Sequence, residues 1–375
     1  MNRPLAAVIA ALLLVGLGCE PLAVNPAAQR RSYPVRAKPN PTLPSDAPTR
    51  LKVMTWNIKY GAGRIDFWFD LWGDRVQMTA SEVDGNLDGI YRLINEVQPD
   101  VLLTNEIEVG SRRSAYVDMV AGILENTGLN YAGYVPNWQS RYVPSEGLGR
   151  VDMGNAIFSR YPIRSVEGIP QAQRTDQDVL TDTFSLHRTL GRAVIDAGGK
   201  DLAIYVVHTE AYDTDGTKTR QLEELKALLE EETLTWLVGG DFNALPPTAV
   251  RLSGFNDDSP DALGTEFETP PYLLTELQPY FADYLSAISL TQLGTTEAEQ
   301  RDFYTHSIIG PERVGTQGEP GFWTRTLDYL FVETPSNWVP GTTEVLQTPG
   351  RSGILSNPLL LSDHCPVIGT WEFVR

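Results

Sequence analysis

Cysteine is nearly absent from this chain: Cys19 and Cys365 are its two thiols in 375 residues. That leaves no disulfide framework to staple the fold. With no CxxC spacing and no HExxH motif, a zinc site is also a poor fit to the residues present. Positive charge is short as well, 30 Lys and Arg against 48 Asp and Glu, giving a formal net charge of -18. Such a surface repels nucleic-acid phosphates on average, and no basic run interleaved with aromatics offers a duplex a track. Global charge says little about a single cleft, so the nuclease class is weakened and not removed. Long apolar runs are missing too. The stretch at residues 5–17 holds about a dozen residues, where a membrane-spanning helix needs roughly 20. No internal repeat is visible.

What the chain does hold is a series of polar residues placed at the ends of short apolar runs. Residues 236–243 read WLVGGDFN, where an apolar run stops at two glycines and then presents Asp241 and Asn243. A carboxylate and an amide on alternate residues of a strand's exit point the same way and together suit a phosphate, a metal or a water. The same setting recurs at Asn57 in VMTWNIKYG, Glu106 in VLLTNEIEV, Asn155 in GNAIFSRYPI and His208 in IYVVHTEAY. It recurs again at Asp328 in RTLDYLFV and at Asp363 with His364 in LLLSDHCPV. Ligands bind where strand ends converge on a rigid scaffold.

From residue 51 to the C-terminus this ordered set resembles the endonuclease/exonuclease/phosphatase superfamily, metal-dependent phosphoesterases that include DNase I-like nucleases, neutral sphingomyelinases and inositol polyphosphate phosphatases. The resemblance implies an α/β fold of four layers: two β-sheets packed face to face, helices outside, and the strand-end motifs at one edge. The residues by themselves show short β-rich runs alternating with helical ones. Strands are expected at 52–56, 101–104, 131–135, 156–159, 193–196, 203–207, 236–238, 327–332 and 367–371, and residues 196–200 form a plausible hairpin turn. Helices are expected at 86–97, 115–126 and 218–232, with a helical stretch near 273–288. Two long connections, 61–85 with Phe67, Trp68, Phe69 and Trp72, and 255–307, are of a length that usually carries function or its own packing.

With 42% hydrophobic and 9% aromatic residues the chain is able to bury a large core. The motifs span Asn57 to His364 without a linker-like break, so residues 50–375 read as one catalytic domain. Ahead of it, Arg3, the apolar stretch 5–17 and the small residues that follow match a secretory signal at 1–18. Cys19 after Gly18 resembles the acceptor of a bacterial lipoprotein signal, with Gly16 departing from the usual Leu. Residues 19–49, rich in proline, read as a flexible tether. The expected location is the bacterial cell envelope, anchored to the membrane by lipid on Cys19, or otherwise periplasmic or secreted.

A phosphoester repels nucleophiles, so its hydrolysis needs a cation to screen the phosphate, an activated water and help for the leaving oxygen. Hard Mg2+ suits carboxylates, and it often binds through one or two of them. By resemblance, Glu106 holds the metal with Asn57 close by and Asp363 as a second contact; Mn2+ or Ca2+ are alternatives to Mg2+. Asp328 orients His364, as a carboxylate fixes a histidine tautomer in other hydrolases. His208 binds phosphate or acts as an acid. Asp241 and Asn243 orient the water and hold a phosphate oxygen, and either Asp241 or His364 takes the proton. Asn155 contacts the phosphate side, and Arg325 and Arg188 offer guanidinium forks. His187 and His306 have no counterpart in the family pattern and are read as structural, and Cys365 as a small space-filler.

The expected function is water-mediated hydrolysis of a phosphodiester or phosphomonoester. The substrate classes are a phospholipid or sphingomyelin headgroup, a phosphorylated small molecule, or extracellular nucleic acid, with the first two favoured. No obligate protein partner is inferred. The competing class is a binding protein that keeps the fold and has lost the chemistry; its signature would be a missing metal Glu, Asp-His pair or GDxN, and none is missing.

Overall fold

The computed structural model describes residues 23–374 apart from 45–46, 144, 213, 266–267 and 319–320, so the signal segment and Cys19 lie outside the described residues. The principal strands are β1 (Arg50–Asn57), β2 (Val101–Glu108), β3 (Tyr131–Val143), β4 (Gly149–Ser159), β5 (Ile163–Pro170), β6 (Thr189–Asp196), β7 (Asp201–His208), β8 (Thr235–Asp241), β9 (Asp328–Val332) and β10 (Val367–Glu372). One sheet has the order β3-β4-β2-β1-β10 and the other β9-β8-β7-β6-β5.

Alternation along each strand builds three apolar layers. Leu51, Val53, Val101 and Leu103 point to the space between the sheets, where they meet Ala193, Ile195, Leu202, Ile204 and Leu237. Their neighbours Met54, Trp56 and Leu102 point the other way, toward α1 (Ala80–Val97) and α2 (Met119–Asn126). On the opposite outer face Ala203, Tyr205, Val207, Trp236 and Val238 pack against Leu222, Leu225 and Leu229 of α3 (Thr217–Glu231). Strands buried on both faces read as the continuous apolar runs seen in the sequence. The result is a four-layer sandwich, helix, sheet, sheet, helix. Among the described residues no helix is long and apolar enough to cross a membrane.

Helix α1 shows why these boundaries fall where they do. Thr79 Oγ1 accepts the Glu82 N–H at 3.3 Å while the Glu82 carboxylate accepts the Thr79 N–H at 2.8 Å, a reciprocal cap. Val83, Leu87, Ile90, Ile94 and Val97 form its buried stripe. The helix stops at Gln98, which is left-handed (φ 53°), ahead of Pro99.

All nine expected strands are present, most of them longer than the sequence pattern marks. Strand β5 has no counterpart among them. Its register slips against β6 between Ile163 and Ser165, and this bulge breaks the period-2 alternation that identifies a strand. The turn at 196–200 is as expected, with Ala197 N–H donating to Lys200 O at 2.8 Å. Near 273–288 the helix is a short Gln278–Asp283.

The tether reading of 19–49 does not hold across residues 23–37. Ala23–Val24 and Val35–Ala37 pair with β3, and Arg31–Ser32 pairs with β5. Proline-rich chain is excluded from central strands but tolerated on sheet edges, and here the segment straps both sheets by covering an edge of each. Arg36 fastens it further through Nη1, 2.9 and 2.7 Å from the two Asp118 oxygens.

Strand direction gathers the polar series. β1 runs parallel to β2, and β7 parallel to β8, so four C-terminal ends deliver Asn57, Glu106, His208 and Asp241 to one edge of the sandwich. β9 and β10 run antiparallel to their neighbours and begin at that edge, bringing Asp328 opposite Asp241 and leaving Asp363 and His364 just before β10.

Candidate functional site

Two local distortions aim the key carboxylates. At the end of β2 the register against β4 shifts between Thr104 and Ile107, and Glu106 takes φ 55° in the bulge. A non-glycine residue held there is strained, a condition that clusters at functional sites. In β8 Gly240 has φ 141°, and a Cβ on it would lie 2.0 Å from the Val207 carbonyl oxygen. Glycine alone lets β8 close on β7 at this point, which sets Asp241 beside His208.

Hydrogen bonds then fix the floor. Asn57 Nδ2 donates to Glu106 Oε1 (3.1 Å) and to Asp241 Oδ2 (3.2 Å), linking the two sheets. Asp241 Oδ1 accepts the Asn243 N–H at 2.9 Å. Asp328 Oδ2 lies 2.7 Å from His364 Nδ1, the pairing expected from the sequence, and the two Nε2 atoms of His364 and His208 each stand 3.6 Å from Asp241 Oδ2. His208 Nε2 is also 3.8 Å from Glu106 Oε1.

Burial and neighbouring charge set the protonation states. Burial alone would push the His364 imidazolium down, but Asp328 and Asp241 hold it up at about 10. Burial pushes Asp241 up to about 7, with Asp328 adding to the rise and His364 opposing it. Burial keeps His208 neutral, reinforced by Arg188 and His364. Glu106 is raised by burial and then by Asp363. Asp363 is lowered despite its burial, chiefly by Lys59 and His364.

Of the residues the sequence singled out, Glu106, His208, Asp241, Asn243, Asp363, His364 and Arg188 line one cleft of about 290 Å3. Asp328 supports His364 from beneath. The remaining three stand differently from their expected roles. Asn57 turns its amide nitrogen to the carboxylates and its oxygen to the Lys59 N–H (3.1 Å), so here it holds Glu106 in place. Asn155 is fully buried below the floor, accepting from Asn105 Nδ2 at 2.9 Å, and contacts no part of the cleft. Arg325 bonds Asp257 at 2.6 Å and Asp258 at 3.1 Å and stacks on Phe255 at 3.9 Å, a buried anchor for the loop after β8 and not a phosphate ligand.

Several residues here escaped the sequence reading. Asn105 joins the sheets by accepting the Asp241 N–H (3.0 Å) and donating to Val207 O (2.8 Å); its place beside Glu106 in TNEIE was the available signal. His306, read as structural, lines the cleft with its ring centroid 4.6 Å from that of His364. Lys59 and Asp70 also face the cleft as a buried pair 2.7 Å apart. His187 lies off the cleft, with Nε2 3.4 Å from Asp182. Cys365 is buried, its thiol pushed up by that burial.

Above this polar floor the walls are apolar and aromatic. Trp68 and Phe69 come from the 61–85 connection, Trp138 and Met153 from β3 and β4, with Leu186 and Tyr212 from flanking loops. Phe67 of the same connection is core, while Trp68 and Phe69 are half-buried. The wall cations are already engaged: Arg113 pairs with Glu108 at 2.7 Å and lies 3.7 Å over Tyr60. Arg188 differs. It is 4% exposed, its nearest counter-charge is Glu210 at 3.6 Å, and its Nε and Nη1 make no hydrogen bond among the described residues.

The donor chemistry fits a hard divalent cation. Asp363 is a buried carboxylate and Glu106 a half-buried one, and their charges oppose one another, a cost that a cation between them would relieve. Asp241, Asp328 and His364 also bring ligand-type atoms within 4.8 Å of each other. There, however, His364 Nδ1 is committed to Asp328 and the ring is cationic, which suits proton handling better than ligation.

Comparison with known proteins agrees with this geometry. A search of curated proteins returns no match. Among solved structures, an endonuclease/exonuclease/phosphatase from Beutenbergia cavernae DSM 12333 aligns with a TM-score of 0.51 at 16% identity, over 86% of this chain and 72% of that one. A family protein from Leptotrichia buccalis C-1013-b gives 0.51 at 14% identity, over 86% and 100%. The human Nocturnin catalytic domain with bound sulfate anion gives 0.50 at 17% identity, over 94% and 100%. At these identities the likeness is one of fold. The sequence profile of the Endonuclease/Exonuclease/phosphatase family, whose members are hydrolytic phosphoesterases dependent on divalent metal, matches residues 54–364. That span holds the whole floor from Asn57 to His364, and the chain belongs to the Endonuclease/Exonuclease/phosphatase family.

Proposed function

We propose that this protein hydrolyses a phosphorylated small molecule, a phosphoester whose organic part is flat or apolar, at the floor built by Glu106, Asp241, His208 and the Asp328–His364 pair. The observation that carries this reading is the union of that floor with apolar walls in a cleft of about 290 Å3, close to the lower end of ordinary small-ligand sites. A duplex needs an open basic track, which this cleft does not offer.

Glu106 and Asp363 would hold Mg2+, which when bound screens the phosphate charge. Asp241 orients a water and accepts its proton as the water oxygen bonds to phosphorus and the ester P–O bond breaks. His364, a cation held by Asp328, stabilises charge on the phosphoryl oxygens through Nε2–H, and so leaves proton acceptance to Asp241. Neutral His208 and the Asn243 amide bind further phosphate oxygens, and Arg188 offers its free guanidinium edge to the same phosphate. The signal reading of residues 1–18 supports a location at the cell envelope, where a phosphoester would be met outside the cytoplasm.

The test is a Mg2+-dependent assay of the full chain on bis(4-nitrophenyl) phosphate, sphingomyelin vesicles and duplex DNA. Preference for the small aromatic ester by tenfold or more in kcat/KM is expected, with Trp138→Ala raising its KM. Preference for vesicles would transfer the reading to a lipid headgroup, and preference for DNA would contradict it.

A further inference from the structure

Lys59 brings an ammonium group into a place where burial disfavours any charge. It follows β1, adopts φ 42° and leaves 2% of its side chain exposed. Its Nζ stands 2.7 Å from Asp70 Oδ2 and 3.4 Å from Asp363 Oδ2. The other Asp363 oxygen accepts from Ser362 Oγ at 3.2 Å. Arg64, a second cation near Asp363, is taken up by the carbonyl oxygens of Leu359, Ser307 and Ile309. Asp70 arrives from the 61–85 connection and sits next to Phe69 of the cleft wall.

We propose that Lys59 and Asp70 form a charge couple that sets the affinity of Glu106 and Asp363 for their divalent cation. Lys59 opposes an incoming cation and draws on the carboxylate that would ligate it, while Asp70 restrains Lys59 and offsets its charge. The proposal rests on Glu106 and Asp363 being the ligands. It assigns the 61–85 connection a second role, joining the cleft wall to the metal site through one ion pair. Removing either charge changes the field at the site in opposite directions, each by an amount worth on the order of tenfold in affinity at the effective dielectric of such sites.

The experiment is titration of the full chain with Mn2+, followed by calorimetry and by the spin resonance of the free ion. Glu106→Gln is expected to bind at least about tenfold more weakly. Lys59→Met is expected to bind about tenfold more tightly, Asp70→Asn about tenfold more weakly, and the double variant within about threefold of wild type, since opposed charge effects cancel in a double-mutant cycle. A purely structural ion pair would weaken binding in both single variants. Lys59→Met binding no more tightly than wild type, alongside a weakened Glu106→Gln, overturns the charge couple and leaves the ligands standing. Unchanged binding by Glu106→Gln removes the ligand reading and the couple with it. If Lys59→Met does not fold, a weakened Asp70→Asn and a restored double variant support the couple, and an unchanged Asp70→Asn overturns it.

Discussion

His364 is governed by one hydrogen bond, 2.7 Å from Asp328. In the metal-free protein its ring is expected to remain an imidazolium until the pH approaches about 10, since Asp328 and Asp241 oppose the effect of burial. NMR titration of the ring checks this, and Asp328→Asn is expected to bring the transition down. The same variant is expected to lower kcat by up to about 10,000-fold with the fold intact, the magnitude seen when a catalytic histidine loses its orienting carboxylate. Arg325 supplies the opposite case. Arg325→Ala leaves Asp257 buried and unpaired and is expected to destabilise the fold by about 3–5 kcal/mol in denaturant unfolding, with KM little changed. The difference between these two residues was not legible in the sequence. RTLDY shows an arginine and an aspartate at one strand end, and only the partner, supplied by Asp257 some 68 residues earlier, decides which of them serves chemistry. Asn155 went the same way, since its role depends on Asn105 across the sheet.

Elements were easier to read than their endpoints. Apolar runs buried on both faces mark β1, β2, β7 and β8 clearly, and their exits mark the site, which is why Glu106, His208, Asp241 and His364 stood out. What the pattern conceals is irregularity: the bulge that hides β5, and the left-handed backbone that turns Glu106 to the cleft. Proline content likewise suggested free chain where residues 23–37 cover two sheet edges. Deleting that strap is expected to lower the midpoint of thermal unfolding and promote aggregation, because it bares edge strands; scattering during a melt reads both. A further check falls on α1. Glu82 is held down to about 2 from an ordinary 4.5, first by its hydrogen bond from Arg75 and then by the Thr79 N–H. Its folded value is the lower one, so its contribution is complete above about 4.5 and disappears as pH falls toward 2. With a third of its side chain in solvent, Glu82→Gln is expected to lose no more than about 1 kcal/mol at pH 7, and the difference should vanish in acid.

For the whole molecule, two sheets each contribute half of a floor that neither contains alone. Asn57 and Glu106 come from one, Asp241, His208 and Asp328 from the other, and the Asn57 and Asn105 side chains tie them together. Under the function proposed above, the acidic surface and the apolar walls would act as a filter, favouring a small phosphoester over a polyanion. The fold and the floor were therefore visible in strand-end residues, whereas the walls, contributed by long connections, became visible only once the chain was folded. The most direct measurement of the central claim is the rate of Mg2+-dependent hydrolysis of bis(4-nitrophenyl) phosphate by wild type beside Glu106→Gln and Asp241→Asn. Hydrolysis by wild type that falls at least about 100-fold in each variant, as loss of electrostatic and acid–base groups predicts, agrees with the account; hydrolysis that survives in both variants, or a folded, Mg2+-loaded wild type that hydrolyses no phosphoester, contradicts it.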